Sequence, residues 1–171
     1  MKKIGEIEKP IYSCEFCKRV FARESTVINH ICQFKHRWLE RDKRSNRLGF
    51  QSWLQFFSKT HMSNTNKVYE DFIKSPYYTA FIKFGAYCSE IKAINIARYV
   101  DWLLKERIKI DTWCKDSVYN KYLIEYIKTE DPFDSIARSI ETMISLASDA
   151  GINSCDYLRY GNTNKICHAI T

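Results

Sequence analysis

Glycine and proline are scarce in this 171-residue chain, at five and three residues. Tight-turned β architectures draw heavily on both, so a sheet-rich fold is not expected. No apolar run approaches the ~18 residues that cross a bilayer, so no membrane span is expected. Residues 1–13 are charged and lack an apolar leader core, so no signal peptide is expected. Histidine occurs only four times. No Gly-rich phosphate loop, Gly-x-Ser-x-Gly or His-Glu-x-x-His occurs, which removes the commonest nucleotide-binding, hydrolase and metalloprotease readings. No small-molecule substrate is evident.

What is present points to a globular chain. Hydrophobic residues make up 45%. This length can bury one core, or a small module beside a domain of about 120 residues. Residues 1–50 hold 12 Lys+Arg against 6 Asp+Glu, whereas residues 51–171 hold 15 against 14. The positive excess is therefore concentrated at the front of the chain, the footprint of a polyanionic partner. Seven cysteines stand at positions 14, 17, 32, 88, 114, 155 and 167. An odd, scattered set does not read as a disulfide framework. Cys88, Cys114 and Cys155 fall in helical patterns and are expected as small buried apolar residues.

The chemically informative stretch runs from Tyr12 to His36. Cys14 and Cys17 are two residues apart, twelve residues separate Cys17 from His30, and five separate His30 from His36. Four soft or borderline ligands satisfy a tetrahedral zinc ion, here two thiolates on a turn and two imidazoles on a helix. His36 is the preferred fourth ligand, at the long limit of the spacing. Cys32 is the alternative. Two residues beyond His30 in an unbroken helix it would point about 200° away, but it could swing in if the helix ended at His30. Residues 11–36 are too few to fold by burial alone, so metal would have to supply the folding energy.

This segment resembles the Cys2His2 zinc-finger family over residues 12–36, with Tyr12, Phe21 and Val27 in its small core. The resemblance implies one zinc ion. It also implies that Arg23, Ser25, Thr26 and Asn29 occupy the helix positions that read bases, Arg suiting guanine and Asn adenine. Such fingers usually act in tandem, and here there is one. The basic run that follows adds phosphate-neutralising candidates: Lys35, Arg37, Arg41, Lys43, Arg44 and Arg47. Trp38 either stacks on a base or packs inward. Glu40 and Asp42 interleave, so a solvated helix face is the plain alternative.

The remainder reads as helices. Residues 37–47 are a basic linker or an extension of the finger helix, and Gly49 is the nearest breaker. Phe50, Trp53, Leu54 and Phe57 share a helical face. A polar loop covers 59–66, and helices are expected over 67–74 and, after Ser75-Pro76, over 77–90. Asn95 reads as a helix cap, Asp111 opens a short segment with Trp113, and a further helix covers 117–128. Asp131-Pro132 starts the clearest helix, with Ile136, Ile140, Met143, Ile144 and Ala147 on one stripe and Gly151 as its stop. Ser154 opens a short helix to Tyr160, ahead of a loose tail. His61 and His168 read as isolated surface residues. Asp71 with Glu90-Ile91-Lys92 loosely imitates a nuclease metal site, but that site is built on strands and these residues fall in helices.

Arg47-Leu-Gly-Phe50, Tyr69-Glu-Asp-Phe72, Ser75-Pro-Tyr-Tyr78, Phe81-Ile-Lys-Phe-Gly85 and Ser139-Ile-Glu-Thr-Met143 resemble segments of zinc-finger proteins from T4-like tailed bacteriophages. That resemblance implies a host-cytoplasm setting, and a His-x-Cys element that keeps Cys32 open as a ligand beside the preferred His36. The expected architecture is mainly α, with residues 1–36 as lead and ββα finger, 37–47 as basic linker and 48–171 as an all-α domain. The expected role is non-catalytic binding of nucleic acid, most readily DNA. A protein-interaction adaptor with a structural finger is the alternative.

Overall fold

The computed structural model describes residues 12–61 and 66–160. The polar lead at 1–10, the middle of the 59–66 loop, and the tail with Cys167 and His168 lie outside the described residues. The fold is mainly α with an N-terminal ββα-like unit. The chain divides into two compact units, residues 1–119 and 120–171.

The first unit opens with a two-stranded antiparallel hairpin. β1 (Tyr12–Ser13) pairs with β2 (Val20–Phe21), with Tyr12 opposite Phe21. Helix α1 (Glu24–Asn29) follows, and its C-cap is His30 in an extended conformation. The chain stays extended through Cys32, whose side chain caps α2 (Gln33–Leu39) by accepting the Lys35 N–H. One helix carrying both His30 and His36 is therefore not what forms.

Residues 37–47 hold the end of one helix, a tight turn and the start of the next. α2 ends at Leu39 and α3 (Arg44–His61) begins after the turn. Buried Asn46 holds that turn: its Nδ2 donates to the Glu40 carbonyl at 2.9 Å, and its Oδ1 accepts from the Ser45 hydroxyl. Both ends of a buried amide are thus satisfied, as burial requires.

Gly49 does not break α3; it lies inside it. The buried face of α3 is Asn46, Gly49, Ser52, Trp53 and Phe56, while Phe50, Leu54 and Phe57 are half-buried. The face is turned from the expected stripe because backbone meets backbone here. α5 (Tyr78–Glu90) crosses α3 at Gly85, where an added Cβ would collide with the Ser45 carbonyl oxygen and lie 2.6 Å from the Gly49 nitrogen. An added Cβ at Gly49 would lie 2.5 Å from the Phe81 carbonyl oxygen. Only glycine at both positions permits this approach.

Around the crossing the core is aromatic. Phe56, Phe81 and Phe84 all meet buried Trp113, at ring-centroid distances of 6.2, 5.7 and 5.3 Å. The polar edges are matched: Trp113 Nε1 donates to the Ile108 carbonyl, and the buried Tyr99 hydroxyl donates to the Trp113 carbonyl. α4 (Tyr69–Lys74) adds fully buried Phe72 and Ile73, and α6 (Ile96–Lys105) adds Tyr99, Val100 and Leu103. Asn95 caps α6 as expected, accepting the Arg98 N–H from a left-handed conformation. Gln55 and Lys59 of α3 both bond the Asp101 carboxylate of α6. Asp71 closes the first turn of α4 by accepting the Val68 N–H, a capping role.

α7 (Asp116–Thr129) starts in the first unit and runs into the second. In the second unit α8 (Pro132–Ala150) begins at the Asp131 cap and stops at Gly151 with φ +66°, both as expected. The Glu130 carboxylate is held by two bonds from Arg138, which keep it below the usual carboxylate range. Ala147 is buried against Tyr157 of α9 (Tyr157–Tyr160), with Leu146 and Ile152 packed on them. Elsewhere on the α8 stripe Met143 is partly buried, and Ile136, Ile140 and Ile144 are about half exposed.

Gly85→Ala forces α3 and α5 apart at an otherwise close-packed crossing. It should cost roughly 3 kcal/mol or more and lower the Tm by about 10 °C or more. Gly151→Ala meets open space and only a left-handed φ, so its cost should be about 1 kcal/mol. Thermal unfolding of the two variants checks this, and equal losses would contradict it.

Candidate metal centre

The hairpin turn builds the first half of the site. The Lys18 N–H donates to the Cys14 carbonyl at 2.8 Å, and the Cys14 N–H donates to the Arg19 carbonyl at 3.0 Å. Closing so tight a turn places Lys18 in the left-handed region, φ +59°. Backbone N–H groups then point at sulfur. The Cys17 N–H, aided by that of Phe16, holds the Cys14 thiol below its ordinary pKa. At Cys17 the Arg19 N–H also lowers the pKa, but burial and the neighbouring Cys14 and Cys32 thiols outweigh it and push Cys17 up. Gathering three sulfurs in one place thus resists a second thiolate, a resistance that a cation among them would relieve.

The second half comes from the break after α1. His30 is brought in by the end of that helix, and its ring packs on Phe21 with centroids 4.7 Å apart. Its Nε2 lies 3.3 Å from the Cys17 sulfur. Cys32 lies two residues on, in extended chain, with its sulfur 3.9 Å from that of Cys14. The ligand atoms of Cys14, Cys17, His30 and Cys32 all lie within 4.8 Å of one another. A tetrahedral ion with sulfur at about 2.3 Å and nitrogen at about 2.0 Å sets neighbouring ligand atoms about 3.5–3.8 Å apart. The group fits that cage, is compatible with a zinc finger, and could hold one metal ion.

Of the two candidates for the fourth position, this group contains Cys32 and not His36. The His36 side chain is 60% exposed on α2, with Nδ1 3.6 Å from a Glu40 carboxylate oxygen. Extended chain after His30 turns Cys32 inward, and one further turn of α2 carries His36 away. The spacing alone could not show this, because it assumes a continuous helix.

The expected contact residues separate into two sets. Arg23, Ser25, Thr26 and Asn29 are exposed on or beside α1, with the Asn29 amide donating to the Ser25 carbonyl. Arg44 and Arg47 are exposed in the first turn of α3. The others have intramolecular partners. The Arg37 guanidinium donates to the Ile73 carbonyl at 2.5 Å and lies 4.1 Å from the Tyr78 ring centroid. Trp38 packs inward, its ring 6.1 Å from Phe16 and 5.8 Å from Tyr69, and Arg41 sits 4.8 Å over its face. Lys43 pairs with Glu40, and the Lys35 ammonium donates to the Ile28 carbonyl.

Sequence reasoning missed two parts of this arrangement. One is Phe16, which contacts Trp38 from inside the Cys14–Cys17 turn. The other is the use of Arg37 and Trp38 to join α2 to α4 and α5. An arginine three residues beyond Trp38 was a legible hint of ring stacking. Tyr69 and Tyr78 are distant in sequence and gave no such sign. A shallow cavity of about 270 Å³ lies beside the site, lined by Ser13, Cys14, Glu15, Phe16, Val27 and Lys35.

Among the remaining cysteines, Cys88 is buried as expected, and burial pushes its thiol up to about 12. Cys114 and Cys155 are instead exposed.

Arg37→Gln should destabilise the protein by about 2 kcal/mol, since it removes a charged hydrogen bond and a cation–π contact together. Arg44→Gln, at an exposed position without such partners among the described residues, should change stability by no more than about 0.5 kcal/mol. Denaturant unfolding compares the two, and an equal effect would contradict the docking role of Arg37. In comparisons with known proteins, no family model, no curated protein and no solved structure matches this chain.

Proposed function

We propose that the protein binds one zinc ion through Cys14, Cys17, His30 and Cys32 and acts as a non-catalytic nucleic-acid-binding accessory protein. Zinc is favoured over harder cations because three thiolates and one imidazole are soft or borderline ligands in a closed four-coordinate set. A set with no open position serves structure rather than catalysis.

One observation carries the nucleic-acid reading. α3 opens with Arg44 and Arg47 exposed and has no acidic residue in its first turn. The helix dipole disfavours cations there, and a bound phosphate would offset both the dipole and the arginines. The balance of charge agrees: residues 1–119 carry 22 basic against 13 acidic side chains, while residues 120–171 carry 5 against 7. The phosphate contacts thereby narrow to Arg23, Arg44 and Arg47, joined by Lys18 and Arg19 on the hairpin turn. Ser25, Thr26 and Asn29 are left for base edges. The resemblance to phage zinc-finger proteins favours a role accessory to phage DNA replication, transcription or processing in the host cytoplasm. The adaptor reading draws on a different observation, the exposed Val20, Ile28, Ile31 and Leu39 on and beside the finger.

Metal analysis of the purified protein should give one equivalent of zinc, lost in Cys14→Ser and Cys32→Ser and kept in His36→Ala. Loss in His36→Ala with retention in Cys32→Ser would move the fourth ligand to His36. Binding to duplex DNA, followed by fluorescence anisotropy, should weaken with salt at a log–log slope of about −4 to −5, as five phosphate contacts imply. Arg44→Glu with Arg47→Glu should lower the affinity about tenfold or more. An affinity indifferent to both salt and this charge reversal would favour the adaptor reading instead.

A further inference from the structure

The stripe along α8 has no role in the metal centre or the basic surface. Phe133 is 82% exposed, and Ile136, Ile140 and Ile144 are 57%, 45% and 52% exposed. At about 100° per residue, Phe133, Ile136 and Ile144 all fall within about 40° of Ile140 around the helix. They therefore form one ridge. Isoleucine and phenylalanine are among the residues least compensated by exposure to water, and an amphipathic helix of this kind is stabilised mainly by covering its apolar face.

We propose that the α8 ridge is a self-association surface that pairs with the same ridge of a second copy of this chain. The spacing is self-complementary. Ile136 and Ile144 are each four residues from Ile140, so a two-fold axis through Ile140 seats Ile136 of one chain against Ile144 of the other. Ile140 then meets itself. Closed dimers are built from such isologous contacts. The antiparallel arrangement also sets the two helix dipoles in opposition, which is favourable.

The area suits a dimer. The four side chains expose about 500 Å² per chain, a patch as large as the largest on a typical monomer. Across the axis the three isoleucines meet one another while Phe133 falls opposite buried Ala147, and full burial of both patches would remove about 1,000 Å² in all, the lower bound for a specific complex. Charge argues against other occupants. α8 carries Arg138 against Asp134, Glu141 and Asp149, and Arg138 is committed to Glu130. An acidic helix does not lie on an anionic lipid surface, which calls for Lys and Arg on the polar face. The same acidity and the apolar ridge disfavour nucleic acid.

Sedimentation equilibrium of the full chain in reducing buffer tests the proposal. At about 100 μM, well above a Kd near ~1 μM, the mass should be twice the 20.3 kDa of one chain. Ile140→Lys places two ammonium groups on the two-fold axis and should give a monomer with unchanged helical circular dichroism. Phe133→Ser, at the most exposed position of the ridge, should raise the dissociation constant about tenfold or more. A wild-type monomer at that concentration, or a dimer that survives both substitutions, overturns the proposal. So does a monomer that takes up a different protein on this ridge.

Discussion

Much of the first unit depends on a single interruption: the chain leaves helical geometry at His30 and re-enters it at Gln33. Cys32 sits in that interruption and does two things. Its sulfur joins the group formed by Cys14, Cys17 and His30, and the same sulfur accepts the Lys35 N–H to start α2. α2 then carries Arg37 and Trp38 onto Ile73, Tyr69 and Tyr78. The candidate ligand set and the docking of the ββα-like segment on the helices are therefore consecutive turns of one short stretch. A metal ion at the cage would fix the direction in which α2 sets out.

The other fixed point is the contact of Gly49 with Gly85. Interhelical packing normally runs through side chains at about 8–10 Å between axes, and here glycine lets the two backbones meet. The closeness rotates the buried face of α3 and brings Phe56 within reach of Phe81 and Trp113. The first turn of α3 lies at this crossing with Ser45 and buried Asn46, and leaves Arg44 and Arg47 at the surface. The positive charge of the chain is thus divided by structure. Arg37, Arg41 and Lys43 make intramolecular contacts, and Arg23, Arg44 and Arg47 face solvent.

Much of this was legible in the sequence. Local signals were reliable: Asn95 and Asp131 cap their helices, Gly151 stops α8, and the Cys14–Cys17 turn forms as its spacing implies. What escaped was non-local. Gly49 reads as a breaker until its partner Gly85 is known. Trp38 was left open between stacking on a base and packing inward, and the partners of Trp38 and Arg37, Tyr69 and Tyr78, lie too far along the chain to be foreseen. The fourth ligand turned on whether a helix continued past His30, a choice between local propensity and tertiary contacts that spacing does not encode. The α8 stripe was recognised as apolar, but periodicity marks which face seeks cover and not what covers it.

A cage of three sulfurs and one nitrogen is central to all of this. X-ray absorption spectroscopy of the zinc-loaded protein tests it most directly, because it reads the ligand atoms themselves. The expected first shell holds three sulfurs at about 2.3 Å and one imidazole nitrogen at about 2.0 Å. A shell of two sulfurs and two nitrogens would contradict it, and would return His36 to the site in place of Cys32.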